Sequence, residues 1–355
     1  MSGQAIAPSD SKLGHSSVDA LTPNDPRVEH KFKSFGDITY HYILAKPQGK
    51  PVATVLLTHG WPDIHFGWRY QVPYLVNLGF QVIVPDMLGY GQTSAPESSE
   101  EYSFPKMTAQ IAAIVKDHTD QPIILGGHDW GAIFAWRLVN YYPELIRAVF
   151  CLCVPYMPPS PVKHSLEDTV KRLPNFAYQL QLASGKAEKI IDKTPERLRG
   201  FLNCVFGGKT PEGDYGFKVS EGVVEENLER IGPSPLFSQE TIDFYVQEFS
   251  RHGMHGPCNW YRTPGPRGED EQELAKKLGP SYKIKVPAML VMAERDAALP
   301  PHLADGQEKY FEAGLKKELV PDSSHWVQSQ CPEVVNKHIG DFIKSVLGDE
   351  LKASL

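Results

Sequence analysis

Apolar and polar positions along this chain form two stretches of alternating strand-like and helix-like pattern, separated by a long segment of different character. In the first stretch, Val52-Ala53-Thr54-Val55-Leu56-Leu57-Thr58 is a nearly unbroken apolar run, as expected for a strand buried on both faces of a sheet. Before it, 38–43 reads as an edge strand of an antiparallel hairpin; after it come a helix over 66–78, a strand over 81–84 and a helix over 106–118. Two short apolar runs, Pro122-Ile123-Ile124-Leu125 and Ala148-Val149-Phe150-Cys151-Leu152, read as further strands and enclose a helical pattern over 132–141. The second stretch has strands over 288–292 and 317–320, a helix near 302–311 between them and another over 333–347. This alternation predicts an α/β fold with a mostly parallel central sheet.

Between 155 and 283 the pattern changes. Val154-Pro155-Tyr156-Met157-Pro158-Pro159-Ser160-Pro161 reads as an inter-domain connection, followed by mainly helical patterns and a Gly-rich loop over 207–216, with no buried strand. The chain therefore divides into a loosely ordered lead-in over 1–26, the first part of an α/β core over 27–154, a helical cap over 155–283 and the second part of the core over 284–355.

Charge and composition exclude rather than identify. Lys and Arg total 36 against 43 Asp and Glu, a net charge of −7 without any basic block, so neither nucleic acid nor an anionic membrane surface is an expected partner. No apolar run approaches the ~20 residues of a membrane span. Five scattered cysteines without a CxxC pair read as reduced thiols of an intracellular protein. The N-terminus lacks the charged start and apolar region of a signal peptide. The final Ala-Ser-Leu is only a faint counterpart of a peroxisomal address, without its basic centre, so a cytoplasmic location is expected.

The chemistry concentrates in Gly126-Gly127-His128-Asp129-Trp130-Gly131-Ala132, between a strand and a helix. Gly127 and Gly131 lie two residues either side of Asp129, the small-x-nucleophile-x-small spacing of the α/β-hydrolase nucleophile elbow. An Asp at the apex, in place of Ser, attacks sp³ carbon and forms an alkyl ester, which points to epoxide opening or halide displacement. Asp296 follows a buried strand, and His325 sits in the loop after the last strand, so nucleophile, acid and base follow the hydrolase chain order. His128 reads as structural, because a side chain adjacent to the nucleophile points away from its pocket. In Thr58-His59-Gly60-Trp61-Pro62-Asp63, the backbone N–H of Trp61 would pair with that of Trp130 as an oxyanion hole.

Together these residues resemble the soluble epoxide hydrolases of the α/β-hydrolase superfamily, with an overall flavour closest to fungal members. His59-Gly60-Trp61-Pro62 is similar to the family's HGxP loop and Gly127-His128-Asp129-Trp130-Gly131 to its elbow. The family also carries two cap tyrosines that bind the epoxide oxygen. Asn175-Phe176-Ala177-Tyr178-Gln179-Leu180 and Asn259-Trp260-Tyr261-Arg262 match their contexts, so the resemblance implies Tyr178 and Tyr261 in that role. It also implies Trp61, Phe66 and Trp130 as apolar pocket walls, Tyr156 as a further lining residue near the start of the cap, and a small apolar epoxide and water as reactants. No metal and no organic cofactor is implied. Two rivals stand beside this reading: a haloalkane or haloacid dehalogenase with the same nucleophile, and a non-catalytic ligand-binding receptor on the same fold.

Overall fold

The computed structural model describes residues 18–348. Among the described residues ten strands occur: β1 (Glu29–Phe35), β2 (Ile38–Ala45), β3 (Thr54–Thr58), β4 (Gln81–Pro85), β5 (Ile123–His128), β6 (Ile146–Leu152), β7 (Phe217–Lys218), β8 (Gly222–Val223), β9 (Ala288–Ala293) and β10 (Leu315–Val320). Eight of them form one sheet in the order β1-β2-β4-β3-β5-β6-β9-β10. Only the β1–β2 and β2–β4 pairings are antiparallel; from β4 to β10 all run parallel. The central strands β3 and β4 and the strands β5 and β9 are buried along their whole lengths, which explains their continuous apolar runs.

The sequence reading missed β1. Its residues Glu29-His30-Lys31-Phe32-Lys33-Ser34-Phe35 are largely polar because it is the outermost strand, and charged side chains there discourage edge-to-edge pairing. The strand read as the edge, β2, is the second strand in.

The core helices are α1 (Gln71–Asn77), α2 (Phe104–Lys116) and α3 (Trp130–Tyr141). The helix expected over 66–78 is instead a 3₁₀ turn over His65–Trp68 followed by α1. Pro73 lacks the N–H that would bond the Arg69 carbonyl in one continuous helix, and the Leu21 N–H takes that carbonyl at 2.9 Å. This also corrects the lead-in, because Leu21 is buried against the core. Residues 1–17 of that lead-in, and the terminal Ala-Ser-Leu, lie outside the described residues.

Between β6 and β9 the chain forms α4 (Leu166–Arg172), α5 (Tyr178–Ala183), α6 (Lys186–Ile191), α7 (Pro195–Val205), α8 (Gln239–Phe249), α9 (His255–Asn259) and α10 (Pro264–Leu278). The helical cap also holds the two-residue ribbon β7–β8, which the pattern did not predict. Of these helices, α10 packs on α2 and α3 of the core, where Arg137 binds Glu271 through contacts of 2.5 and 2.7 Å. The chain closes with α11 (Val327–Gln330) and α12 (Pro332–Leu347). The helix expected near 302–311 is two 3₁₀ turns, Pro301–Ala304 and Gln307–Tyr310, parted by Gly306 at φ 69°. No helix among the described residues is long and apolar enough to cross a membrane.

Register positions the site. Thr58 lies opposite Gly127, so the loop after β3 leaves the sheet beside the elbow after β5. Leu152 pairs with Val291 and Ala293 with Val320, which carries the loops after β9 and β10 to the same end. Ligands of parallel α/β sheets bind at this carboxyl end.

Candidate active site

Asp129 occupies the apex between β5 and α3 at φ 52° and ψ −125°, a conformation that side-chain-bearing residues rarely adopt. Its flanking glycines make the turn possible. A Cβ on Gly127 would stand 2.5 Å from the Gly131 carbonyl oxygen, and one on Gly131 only 2.2 Å from that of Thr58. The Thr58 hydroxyl donates to the carbonyls of Gly131 at 2.8 Å and Gly126 at 3.1 Å, which ties the end of β3 to both sides of the elbow.

The Trp61 backbone N–H donates to Asp129 Oδ1 at 2.7 Å, and the Trp130 N–H bonds the same carboxylate. Asp129 Oδ2 is left 3.6 Å from His325 Nε2. On the far side of the imidazole, His325 Nδ1 lies 2.7 Å from Asp296 Oδ2. The other Asp296 oxygen accepts the Ala298 and Leu299 N–H groups, each at 2.9 Å. Sequence reasoning missed these two amides, although an Asp that turns back on the backbone two and three residues onward is a local signal. His128 points away from this line: its Nε2 lies 2.8 Å from the His325 carbonyl oxygen and its Nδ1 3.1 Å from Gln328 Nε2.

Burial pushes the Asp129 carboxyl above its ordinary value, against the pull of His325 and the Trp61 and Trp130 amides. Burial alone would lower His325, but the Asp296 carboxylate, and then Asp129, outweigh it and raise the imidazole to about 9. Burial acts upward on Asp296, yet His325 and the Leu299 and Ala298 amides hold it below the usual carboxylate range. At neutral pH His325 is therefore protonated, between Asp129 and Asp296.

Tyr178 opens α5 and Tyr261 follows α9, and their rings meet at a centroid distance of 6.1 Å. Trp61 spans the gap to the core, its ring 6.3 Å from Tyr178 and 5.6 Å from Tyr261, while its amide holds Asp129. The Tyr261 hydroxyl is buried and has no hydrogen-bond partner among the described residues. Both phenols are pushed well above the ordinary value of about 10, Tyr178 by burial and then Asp129, Tyr261 by burial, then Tyr178 and Asp129. They are therefore neutral donors in the resting state, and weaker acids than the unperturbed phenol.

Asp129, Trp130 and Tyr178 line a cavity of about 450 Å³ together with Ile133, Phe176, Leu299 and Leu303, a largely apolar wall. Three expected wall residues lie elsewhere, the first being Trp61, whose ring packs among Tyr178, Phe201, Phe217 and Tyr261. Phe66 packs on Phe244 and Tyr245 at 5.0 and 6.3 Å, because the 3₁₀ turn that carries it faces α8. Tyr156 is buried against Trp136, Tyr310 and Phe311, with its hydroxyl at Asn140, and lines a separate cavity behind the Pro-rich connection. The cavity residues from beyond Asp296, namely Leu299, Leu303 and Gln307, carried no sequence signal.

Two groups of buried side chains among the described residues bring metal-ligand atoms together: His41 with His65 and Asp86, and His128 with Cys153 and His325. In the first, His41 Nδ1 and His65 Nδ1 each lie 2.7 Å from an Asp86 oxygen, which is direct hydrogen bonding. In the second, both His128 nitrogens and His325 Nδ1 are likewise hydrogen-bonded.

Known proteins place the chain. Residues 53–330 match the family described as alpha/beta hydrolase fold. Epoxide hydrolase srdG of Neurospora crassa is 50% identical over 342 residues, which cover 93% of this chain and all (100%) of that protein. Epoxide hydrolase A of Mycobacterium tuberculosis is 30% identical over 85% of this chain and 92% of its own length. The crystal structure of Epoxide Hydrolase A from Mycobacterium thermoresistibile superposes with a TM-score of 0.73 at 28% identity, covering 89% of this chain and 98% of that one. With its acidic elbow and two cap tyrosines, the chain belongs to the epoxide hydrolases of the alpha/beta-hydrolase fold.

Proposed function

We propose that this enzyme opens an epoxide to a vicinal diol through an ester on Asp129, with Tyr178 and Tyr261 as acids and His325 and Asp296 as the hydrolytic pair. The observation that carries the reading is the buried Tyr261 hydroxyl, without a hydrogen-bond partner among the described residues, whose ring meets that of Tyr178, a residue that shares a small apolar cavity with the amide-held Asp129 carboxylate. An oxygen that gains charge on ring opening is the acceptor this hydroxyl lacks.

The two Asp129 oxygens divide the work. Oδ1 accepts the Trp61 amide, which leaves Oδ2, beside His325, to attack one epoxide carbon; that C–O bond breaks, and the epoxide oxygen takes a proton from a tyrosine, leaving a tyrosinate. Esterification removes the Asp129 charge. His325 then loses part of the support for its proton, which passes to the tyrosinate left by ring opening, and becomes a base. It deprotonates a water, which attacks the ester carbonyl carbon while the Trp61 and Trp130 amides hold the oxyanion on Oδ1. Collapse breaks the acyl–oxygen bond, returns the proton from His325 to the leaving alkoxide and releases the diol. The carboxyl proton left on Asp129 passes to His325 and restores the imidazolium, and the Asp129 carboxylate now carries one oxygen from water.

A single turnover with excess enzyme in heavy-oxygen water tests this scheme: the first diol is unlabelled and Asp129 becomes labelled. Label in the first diol would mean direct attack by water. One observation favours a dehalogenase, the buried Trp61 Nε1 without a partner, since indole N–H groups commonly hold halide in such enzymes. Faster chloride release from chloroalkanes than diol formation from any epoxide would establish it. A receptor role draws no support from a site in which every member of the triad is present and hydrogen-bonded or in contact. Five free thiols are in keeping with a cytoplasmic enzyme, which is part of the same proposal.

A further inference from the structure

Arg267 is an unusual residue to find inside this protein. It lies in α10 with only 7% of its surface exposed, yet its guanidinium meets carbonyls and ring faces where a buried cation ordinarily meets a carboxylate. Nε and Nη2 donate to the Tyr102 carbonyl at 3.3 and 3.2 Å, and Nη1 donates to the Trp260 carbonyl at 2.9 Å. The same guanidinium lies over three rings: Phe104 at 4.4 Å, Trp130 at 4.8 Å and Trp260 at 5.3 Å. Burial lowers its pKa to about 9, with Glu271 and then Asp270 opposing, so it remains a cation at neutral pH.

These partners flank the reacting groups from both sides. Trp130 follows Asp129 and supplies one of its two amides. Trp260 precedes Tyr261, and the Arg267 bond to the Trp260 carbonyl is made at the Trp260–Tyr261 peptide itself. The two indoles lie 5.9 Å apart, and the Trp130 ring meets Tyr261 edge-on at 5.3 Å. Trp260 is also anchored from below by its Nε1 bond to the Leu88 carbonyl at 2.9 Å. One buried cation thus lies over the indole of the elbow and over that of the residue preceding Tyr261.

Resting on the ester mechanism above, we infer that Arg267 is a positioning residue for ring opening, holding Tyr261 at its working distance from Asp129 by clamping Trp130 and Trp260. It touches neither substrate nor reacting atoms. The second half-reaction uses His325, water and the backbone amides of the elbow, so it does not depend on where the Tyr261 hydroxyl stands. The Trp130 amide serves that step, but the elbow backbone is fixed independently of its indole by the Thr58 bond to the Gly131 carbonyl, so the clamp acts chiefly on alkylation. Methionine can fill the space of Arg267 without charge, and lysine keeps the charge but cannot bridge both carbonyls.

Rapid-quench mass spectrometry of the ester on full-length enzyme separates the two steps for the wild type, R267K, R267M, Y261F and Y261F/R267M. R267M is expected to slow alkylation about 10- to 100-fold, as a small misplacement of a reacting group does, while ester hydrolysis stays within about twofold. R267K is expected to recover part of that loss. In the Y261F background, R267M should cost less than about threefold, because the group it positions is already gone. Should R267M fail to fold, R267K decides: slowing confined to alkylation supports the clamp. Unchanged alkylation, equal slowing of both steps, or full additivity with Y261F overturns it. If the wild type forms no ester, both the mechanism and the clamp fall. If it forms the ester and the Arg267 variants form it as fast, only the clamp does.

Discussion

His325 Nε2 stands 3.6 Å from Asp129 Oδ2, too far for a hydrogen bond but close enough for the two charges to support each other. Replacing His325 by Gln removes the base and leaves the nucleophile and both tyrosines in place. Intact-protein mass spectrometry after epoxide addition should then show a stable adduct equal to the substrate mass, with turnover stopped after one equivalent. Continued turnover without an adduct would remove His325 from the mechanism.

The raised His325 makes stability depend on pH. Its folded value of about 9 lies above the unfolded 6.5, so its contribution is fully present below 6.5 and is lost as pH rises through about 9. The melting temperature is expected to fall between neutral pH and pH values beyond that point, and H325Q is expected to flatten this part of the profile. A wild-type curve that stays level there would show that the imidazolium is not held by Asp296 and Asp129.

Asp129 titrates in the opposite sense for catalysis. Burial raises its carboxyl, so the ionised nucleophile is lost on acidification at a pH above the ordinary carboxylate range. Alkylation rates measured in single turnovers should show an acid limb centred above 3.8, the ordinary Asp value. A limb at or below that value would mean the amides and His325 overcome the cost of burial.

Tyr178→Phe and Tyr261→Phe each remove one donor and little volume. Each is expected to slow alkylation about 10²-fold, by analogy with loss of an oxyanion donor, while ester hydrolysis is little changed. The double variant should be nearly inactive in ring opening, since no acid remains for the alkoxide. Wild-type alkylation in either single variant would make that tyrosine a packing residue.

Gly60 is held to glycine by the nucleophile itself. A Cβ there would stand 2.4 Å from Asp129 Oδ1 and 2.7 Å from the Trp130 nitrogen. Gly60→Ala should displace the carboxylate from its amides, lower epoxide turnover by about 10²-fold or more and destabilise the fold by roughly 1–3 kcal/mol. Near-normal kinetics would show that the loop after β3 can yield without disturbing Asp129.

Much of this site could be read from local sequence because its chemistry is built on backbone geometry that constrains neighbours. The elbow glycines are required within two residues of Asp129, and the continuous apolar runs mark strands whose ends deliver Trp61, Asp129 and Asp296. Residue spacing along the chain thus determined the nucleophile, its order relative to Asp296 and His325, and the α/β alternation. Only the tertiary structure decided which aromatics face the cavity, because the direction of a side chain depends on the element packed against it. Phe66 was claimed by α8, Tyr156 by Trp136 and Phe311, and Leu299 and Leu303 took wall positions that no periodicity marks. The tertiary structure also decided the state of the ionisable groups. Asp129 and His325 lie 196 residues apart in number, and their mutual charge, the depth of burial and the cation of Arg267 across two indoles exist only when the sheet brings its loops to one end.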